Sequence, residues 1–575
     1  MSDPFNNMIA ILQKITVQMA VCAAFILPIT PAPAAVRLPA VLSSHMVLQQ
    51  GMAVPIWGTA DPNEAVTVKF RDQQKTATAD AQGKWMVKLD PLKPGGPDTL
   101  TISGSNTITL DDVLVGEVWL GSGQSNMDTL VSMYAERDPP LKQAMNTSLP
   151  QLRLFRVVQP GGWQVVTPDN VNKYPAELFY FGMLLQKELN VPVGVMEGAQ
   201  GGTPSLYFIS QQAFNADPTI QPLLVKWDAE HPIDVLQTQY EAALAKWKVD
   251  MTAALAAYST NAPATPSPTP GAALSIAPSA TPTPTPTPAP APTPVPDISS
   301  PKTIPKPLLA KYPLPQQPVL AVATLTGACY ERLVRPMIPY GIRGVLWDQG
   351  ESGTGLRCIT QPILMSALIR DWRDDWGQGD FPWIYVQKPS GGGCALNPED
   401  PVNAGAVPFV PLSTLTNGPP TSFASTHVEG YSIMTFPNTF LAIVTDLAPG
   451  IHPFNKSGYA TRESRVALGA VYGEPIEYYG PIFQSFTIAG SQVTISYTHT
   501  GKGLTVPPGQ KLQGFALAGA DKKWHWADAA IDGQTVVLSS PDVPAPVAAR
   551  YWPFAWANLF NIDGLPASGF RTDTW

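Results

Sequence analysis

Two parts of the chain show a regular alternation of hydrophobic and polar residues. Within residues 36–112 the alternation is clearest at 65–70 (AVTVKF) and 84–89 (KWMVKL), with glycine and proline between the runs. A period of two is typical of strands that bury one face, so this segment is predicted to be a small N-terminal β domain. The pattern returns in residues 475–575, for example at 492–497 (QVTISY), and predicts a C-terminal β-rich domain. Those strands either form a sandwich of their own or complete the N-terminal one.

Residues 113–474 carry apolar runs without alternation, separated by helical sequence. The run at 113–121 (VLVGEVWLG) is followed by helical composition at 176–189, and further apolar runs lie at 344–347 and 440–445. Continuous apolar runs are typical of strands covered on both faces of a sheet. Strands that alternate with helices predict an α/β domain with a parallel sheet, which we expect to be the catalytic domain.

The first 35 residues have the features of an export signal. Lys14 precedes an apolar run at 15–29, and small residues and prolines follow as far as Ala35. This arrangement is typical of a cleaved secretory signal. The alternative is a membrane anchor, but a spanning helix needs roughly 20 apolar residues. Residues 1–35 are therefore predicted to be a signal peptide, and the mature chain is expected to be periplasmic or secreted, without membrane contact.

A segment rich in proline, threonine, alanine and serine interrupts the α/β part at residues 262–306. It includes a Thr-Pro repeat at 281–288. Such a composition cannot bury a core, so the segment is predicted to be an extended, mobile insertion within the catalytic domain. The alternative is a linker between two independent domains.

Charge and cysteine content exclude several classes of function. Charged residues make up 14% of the chain and the formal net charge is −8, whereas nucleic-acid binding requires a basic surface. The histidines and cysteines show no zinc-ligand spacing, and neither a metal nor another cofactor is expected. After signal cleavage three cysteines remain; Cys358 and Cys394 form a disulfide, or Cys329, Cys358 and Cys394 are all thiols.

The most specific motif lies directly after the first buried strand. Residues 121–127 read GSGQSNM, so Ser125 is expected on a turn at the edge of the sheet where ligands bind. Met127 stands where the second glycine of the G-x-S-x-G elbow would be, which excludes the α/β-hydrolase type of serine enzyme. The alternative interpretation is an ordinary Gly/Ser turn.

A serine nucleophile needs a base within hydrogen-bond reach. Of the six histidines, His452 follows the apolar run at 440–445, in a loop that also contains Asp446. A loop at the end of a parallel strand would place His452 at the same sheet edge as Ser125. The alternative is a structural histidine.

Several unusual sequence strings, in order, carry a resemblance to a known family. They are MVLQQ at 46–50, GEVW at 116–119, GQSNM at 123–127, WDQGES at 347–352, IHPFNK at 451–456, NLFN at 558–561 and GLPASGFRTD at 564–573. With these strings the chain resembles the sialate O-acetylesterase family, SGNH-type hydrolases that remove acetyl groups from sugars. The resemblance implies a three-layer α/β/α catalytic domain flanked by sandwich-like β segments.

The resemblance also implies a mechanism. Ser125 would attack the acetyl carbonyl, and His452 would accept its proton. The oxyanion donors would be the backbone N–H of Ser125, backbone N–H groups of Gly201 and Gly202, and the side-chain amide of Gln349, with Glu351 in the same substrate-binding loop. The partner would be an O-acetylated glycan or sugar.

Two departures from the family pattern leave the third catalytic group open. Pro449 occupies the position, three residues before the histidine, where many SGNH hydrolases have an aspartate. We expect Asp446, the nearest acid in the sequence, to orient His452; the alternatives are Glu351, Asp348 or a backbone carbonyl. Asp348 itself stands where the family usually has tyrosine.

Three functions are compatible with these residues. The first is a sialate O-acetylesterase, the second an acetylesterase for plant polysaccharides such as xylan or xyloglucan, and the third a carbohydrate-binding homologue without activity. Trp163, Tyr207, Trp347 and Trp552 are candidates for stacking on sugar rings, although most such residues pack in cores.

Overall fold

The computed structural model describes residues 35–260, 304–315, 325–388, 391–421 and 433–575. The predicted signal peptide, apart from residue 35, and the predicted insertion up to residue 303 lie outside the described residues. Within the described ranges, no helix has the length and apolar character needed to cross a membrane.

The chain divides into two compact units. The first contains residues 1–217, 325–355 and 359–575, and the second contains residues 218–324 and 356–358.

The strands are numbered in chain order. In the N-terminal part they are β1 (Val47–Gln49), β2 (Val54–Thr59), β3 (Ala65–Phe70), β4 (Gln73–Thr78), β5 (Lys84–Leu89), β6 (Gly95–Ser103) and β7 (Thr107–Gly123). Next come β8 (Leu149–Arg156), β9 (Gln164–Val166), β10 (Val193–Ala199), β11 (Gly344–Asp348), β12 (Trp383–Val386) and β13 (Thr439–Ala442). The C-terminal strands are β14 (Ile482–Ala489), β15 (Gln492–Thr498), β16 (Leu504–Thr505), β17 (Phe515–Ala518), β18 (Trp524–Trp526), β19 (Asp528–Asp532), β20 (Thr535–Ser539), β21 (Ala548–Tyr551), β22 (Phe560–Asn561) and β23 (Phe570–Arg571).

The α-helices are numbered in the same way. They are α1 (Ser125–Asp128), α2 (Val131–Tyr134), α3 (Pro139–Ala144), α4 (Ala176–Leu189), α5 (Gln211–Ala216), α6 (Ile220–Glu230), α7 (Ile233–Thr260), α8 (Lys306–Lys311), α9 (Gln361–Trp376) and α10 (Lys456–Val466).

The central sheet of the first unit is almost entirely parallel. Its strand order is β13-β12-β11-β7-β10-β8-β9, and all pairs are parallel except the edge pair of β8 and β9. The predicted α/β fold with a parallel sheet is confirmed. The chain builds β8 and β10 on one side of β7 and then β11, β12 and β13 on the other. The carboxyl end of β7 is therefore a topological switch point, where parallel sheets open a crevice for ligands.

Strand β7 belongs to two sheets. Its first half pairs with β6 and β1 in the N-terminal β region, and its second half pairs with β10 and β11. Val118, Trp119 and Leu120 in the second half are fully buried, as expected for a strand covered on both faces. The predicted boundary at residue 112 falls inside this strand, and the domain limits stay a prediction.

The C-terminal β region has its own core. Its two larger sheets have the orders β14-β15-β20-β19 and β18-β17-β21-β23, and their recorded strand pairs are antiparallel. Ile495 and Val536 from the first sheet share a buried cluster with Phe515 and Tyr551 from the second. Of the two alternatives left by the sequence, these strands therefore form a core of their own.

The described part of the second unit is helical. Its longest helix is α7, which spans Ile233–Thr260. Trp247, Met251 and Leu255 of α7 share a buried cluster with Ile304 and Leu308. The cluster thus contains residues that precede and residues that follow positions 261–303, which lie outside the described residues.

All three cysteines described by the structure are thiols. Of the two alternatives left open by the sequence, the disulfide between Cys358 and Cys394 is not formed. Burial raises the pKa of the Cys394 thiol to about 12, so this side chain behaves as a small apolar group.

Candidate active site

Three neighbouring parallel strands end side by side and form the floor of the site. Gly123 at the end of β7 lies in register with Ala199 of β10 and with Asp348 of β11. Gly123 has φ of 124°, and a Cβ atom there would collide with the carbonyl oxygen of Asp348. Glycine is required here because the chain must turn sharply while touching the next strand. The turn is fixed by a 2.9 Å hydrogen bond from the backbone N–H of Gln124 to that same carbonyl.

This turn presents Ser125 at the start of α1. The Ser125 side chain is half-buried, and its Oγ lies 2.7 Å from Nε2 of His452. His452 is exposed, in the loop between β13 and α10. The structure thus brings together two residues that are 327 positions apart in the chain. When the serine hydroxyl donates to Nε2, the imidazole is neutral and carries its proton on Nδ1.

Asp446 does not contact His452. Its Oδ2 accepts a 2.6 Å hydrogen bond from Nη2 of Arg462, and both side chains are buried. Burial raises the pKa of Asp446 and Arg462 opposes this effect. In the part of the chain that the structure describes, no carboxylate is hydrogen-bonded to His452. Asp446 therefore serves a buried ion pair with α10, and the structure does not place it as the orienting acid.

Glu351 lies next to the turn that carries Ser125. Its carboxylate accepts hydrogen bonds from the side-chain amides of Gln124 and, at 3.0 Å, Asn126. Nζ of Lys388 donates to the same carboxylate at 2.6 Å. These contacts make Glu351 a brace for the turn that carries Ser125.

Asp348 is fully buried beneath the site. Nζ of Lys388 lies 2.6 Å from its Oδ1, so one lysine pairs with both Asp348 and Glu351. Burial by itself would raise the pKa of Asp348, but Lys388 and Lys456 outweigh it, and the net pKa is lowered. The carboxylate is thus held ionised by lysines, and it makes no hydrogen bond to His452 within the described part of the chain.

The predicted oxyanion donors differ in whether their N–H groups already have a hydrogen-bond acceptor. A Cβ atom on Gly201 would lie 3.3 Å from Cβ of Ser125, so this backbone passes directly beside the nucleophile. The Gly201 N–H already makes a long, 3.4 Å contact to Oδ2 of Asp128. Among the described residues the backbone N–H groups of Ser125 and Gly202 have no recorded acceptor. These two donors remain available for a ligand.

Gln349 is not available as a donor. Its side chain is fully buried, and Nε2 donates to the carbonyls of Gly353 at 2.8 Å and Thr203 at 3.4 Å. Its Oε1 accepts from Gln361 at 2.7 Å and from Ser205. Gln349 therefore ties together the loops after β10 and β11, which is a correction to its expected role at the oxyanion.

Sequence reasoning missed two residues that lie beside Ser125 and His452. Asn126 donates from Nδ2 to the carbonyl of Ile451, the residue before His452, at 3.0 Å. Lys456 donates to Oδ1 of Asn126 at 2.9 Å. Both residues lie inside the strings GQSNM and IHPFNK, so their position next to Ser125 and His452 was the available signal.

A cavity of about 400 Å³ opens on Ser125 and His452. Asp128 and Arg156 line it together with apolar groups such as Leu130 and Met133. The nitrogens of Arg156 already donate to Glu197 and Asp128, each at 2.9 Å, and to the carbonyl of Lys173 at 3.3 Å. The positive charge of Arg156 in the cavity wall is thus balanced by the carboxylates of Glu197 and Asp128.

The candidate aromatic platforms are mostly core residues. Trp163, Trp347 and Trp552 are at most 1% exposed and cannot stack on a sugar, while Tyr207 is half-buried. Within the described ranges, no group of three or more His, Cys, Asp or Glu side chains could hold a metal ion.

Comparison with known proteins gives relatives along most of the chain. No protein-family model matches it. The sialate O-acetylesterase of Mus musculus is 22% identical over 592 residues, covering 93% of this chain and 94% of the mouse protein. The sialate O-acetylesterase of Homo sapiens is 23% identical over 509 residues, covering 80% of this chain and 76% of the human protein. A solved carbohydrate acetylesterase from Xanthomonas citri is 25% identical with a TM-score of 0.65, covering 94% of this chain and 100% of that one.

Replacing Asp446 should separate stability from reactivity. In Asp446→Asn the buried Arg462 loses its charged partner, and we expect the free energy of unfolding to fall by about 3 kcal/mol. The rate at which a phosphonate probe labels Ser125 should stay within about tenfold of wild type, because no contact links Asp446 to His452. His452→Ala is the comparison variant and should nearly abolish labelling. Equal losses of labelling in the two variants would restore Asp446 as the orienting acid.

Proposed function

We propose that this chain, which belongs to the sialate O-acetylesterase family and is an esterase, removes O-acetyl groups from carbohydrates through an acyl-enzyme on Ser125. The observation that carries the serine mechanism is the 2.7 Å hydrogen bond between Ser125 Oγ and His452 Nε2. A hydroxyl with a neutral imidazole at this distance can lose its proton as it attacks a carbonyl carbon.

The proposed reaction has two halves that use the same pair. Ser125 attacks the acetyl carbon while His452 takes the hydroxyl proton, and His452 then gives this proton to the leaving sugar oxygen. Water, deprotonated by His452, then attacks the acetyl carbon of the acetyl-serine, and His452 returns this proton to Oγ of Ser125 as acetic acid leaves. Each half needs the imidazole at hydrogen-bond distance from the reacting oxygen, which is the position His452 occupies.

Backbone donors are proposed to stabilise the tetrahedral oxyanion. The N–H groups of Ser125 and Gly202 have no recorded acceptor among the described residues, and Gly201 runs beside the nucleophile. A preorganised donor of this kind is worth about 3 kcal/mol in the transition state. Gln349 has no part in this proposal because its amide is already engaged by Thr203 and Gly353.

The catalytic group is proposed to be a Ser-His pair without an orienting acid. Asp446 is paired with Arg462, Asp348 with Lys388, and Glu351 with the nucleophile turn. Orientation of His452 then depends on the backbone of its loop. This supports the open alternative in which no side-chain carboxylate assists the imidazole.

The cavity favours a neutral acetylated sugar over a sialic acid. A sialic acid carries a carboxylate, which binds best to a guanidinium with free donors. Three of the five N–H donors of Arg156 already bind protein oxygens, and the carboxylates of Asp128 and Glu197 balance its charge. Of the two candidate substrate classes, acetylated plant polysaccharide is therefore preferred over O-acetylated sialic acid. A non-catalytic sugar-binding role is disfavoured by the Ser125–His452 geometry.

We also propose that the mature protein acts outside the cytoplasm. The proposal depends on Lys14, the apolar run at 15–29 and the small residues up to Ala35. N-terminal sequencing of protein recovered from the periplasm or the medium should begin close after Ala35. An intact N-terminus on exported or retained protein would contradict cleavage.

Substrate and mechanism can be tested together by acetate release. Wild type, Ser125→Ala and His452→Ala are compared on O-acetylated sialic acid and acetylated xylan. We expect both variants to lose at least about 1,000-fold in kcat, because each removes a member of the reacting pair. Acetylated xylan should be the better substrate of wild type.

Residues outside the site supply the controls. Ser485→Ala and His525→Ala change the same residue types in the C-terminal β region and should keep full activity. Activity that survives in Ser125→Ala would contradict the serine mechanism. A clear preference for the sialic acid would contradict the argument from Arg156.

A further inference from the structure

A buried lysine connects the two loops that carry the catalytic pair. Nζ of Lys456 donates to Oδ1 of Asn126 at 2.9 Å and to Oε2 of Glu177 at 2.9 Å. The side chains of Lys456 and Glu177 are both fully buried. Lysine is almost never fully buried unless it is paired. Nothing in the proposed reaction uses these two charges, so their presence below the site calls for another role.

The ammonium decides which way the Asn126 amide points. An ammonium has only donors, so it must face the amide oxygen, and the amide nitrogen must then face the other way. There Nδ2 donates to Oε1 of Glu351 and to the carbonyl of Ile451, each at 3.0 Å. Both amide hydrogens and the amide oxygen are engaged. Asn126 is therefore a fixed connection and not an oxyanion donor.

This connection joins the immediate neighbours of the two reacting residues. Asn126 follows Ser125 in the chain, and Ile451 precedes His452. Lys456 is itself the first residue of α10, four positions after His452. The start of α10 is fixed by Asn455, whose Oδ1 accepts the N–H of Gly458 at 2.8 Å. The exposed loop that carries His452 is thus held by hydrogen bonds at Ile451 before the histidine and at Lys456 after it.

The surrounding charges keep Lys456 a donor. Burial lowers its pKa, but Glu177 and Asp348 outweigh this, and the net pKa is above the usual value for lysine. Burial raises the pKa of Glu177 to about 7 and that of Glu463 well above its usual range, and Lys456 opposes both shifts. The lysine is the cation around which these buried acids are arranged.

We propose that Lys456 is a positioning residue that, through Asn126, holds the His452 loop against the Ser125 turn and so replaces the orienting acid. This proposal rests on the proposed function of Ser125 and His452. The competing explanation is that Lys456 and Glu177 are only a structural ion pair.

Charge-matched variants separate the two explanations. Lys456→Met leaves Glu177 buried without its cation, so it is expected to reduce stability as well as activity. Lys456→Met combined with Glu177→Gln removes both charges and should regain most of the lost stability. Positioning predicts that kcat of the double variant stays about 10- to 100-fold below wild type, with KM within about threefold. Recovery of wild-type kcat together with stability would overturn the proposal.

A third variant tests whether Asn126 transmits the effect. Asn126→Leu removes the connection and leaves Lys456 paired with Glu177. It should lower kcat by a similar factor, and adding it to the double variant should lower kcat no further, because both changes break one path. Multiplying losses would show that Lys456 acts elsewhere and would also overturn the proposal.

Measuring Ser125→Ala in the same experiment distinguishes failure of the positioning proposal from failure of the serine mechanism. If Ser125→Ala is inactive while the double variant equals wild type, positioning by Lys456 fails and the serine mechanism stands. If Ser125→Ala remains active, the serine mechanism itself fails, and the positioning proposal fails with it. All variants are measured as full-length protein, with the unfolding midpoint recorded beside kcat and KM.

Discussion

The side-by-side ending of three parallel strands at Gly123 is the constraint on which the rest of the site depends. A residue with a side chain could not occupy this position, because its Cβ would collide with the carbonyl oxygen of Asp348. The contact lets the chain turn at once into α1 and expose Ser125 at the switch point of the sheet. The loops after β10 and β11 then supply the backbone beside the nucleophile and the acids beneath it.

Beneath this edge lies an unusual amount of buried charge. Lys388 and Lys456 face Asp348, Glu351 and Glu177, and breaking a buried pair by removing one partner costs about 3–5 kcal/mol. Buried ion pairs are a poor source of stability compared with apolar packing. Their directional hydrogen bonds, however, fix the turn and the loop that apolar contacts would leave free to slide. The cost in stability is consistent with a site whose histidine is exposed and, among the described residues, hydrogen-bonded to no carboxylate.

Hydrophobic patterns in the sequence predicted the strands, because strand formation depends on the local order of apolar and polar residues. The alternation at β3 and β5 matches the observed strands, and the unbroken apolar run before Ser125 identified the central strand of a parallel sheet. Since parallel strands end at a common edge, Ser125 and His452 could be expected to lie on the same side of the sheet. The structure places them in hydrogen-bond contact.

Pairings between distant side chains could not be predicted in this way. Asp446 was the nearest acid to His452 in the sequence, but the first turns of α10 bring Arg462 to it. Gln349 has the right chemistry for an oxyanion donor, yet its amide is used to join two loops. Lys456 meets Asn126 across 330 positions of sequence, and no periodicity records such a contact. These hydrogen bonds depend on the three-dimensional fold and leave no pattern in the local sequence.

Peptide mass mapping of the enzyme trapped during turnover tests the acyl-enzyme on Ser125 directly. Wild type is quenched in acid while it hydrolyses an activated acetyl ester, and the protein is then digested and its peptides are mapped. A serine nucleophile predicts that the mass of one acetyl group is added to the peptide that contains Ser125, and that Ser125→Ala shows no such addition. An acetyl group on another residue, or turnover without any covalent adduct in wild type and with full activity in Ser125→Ala, would contradict it.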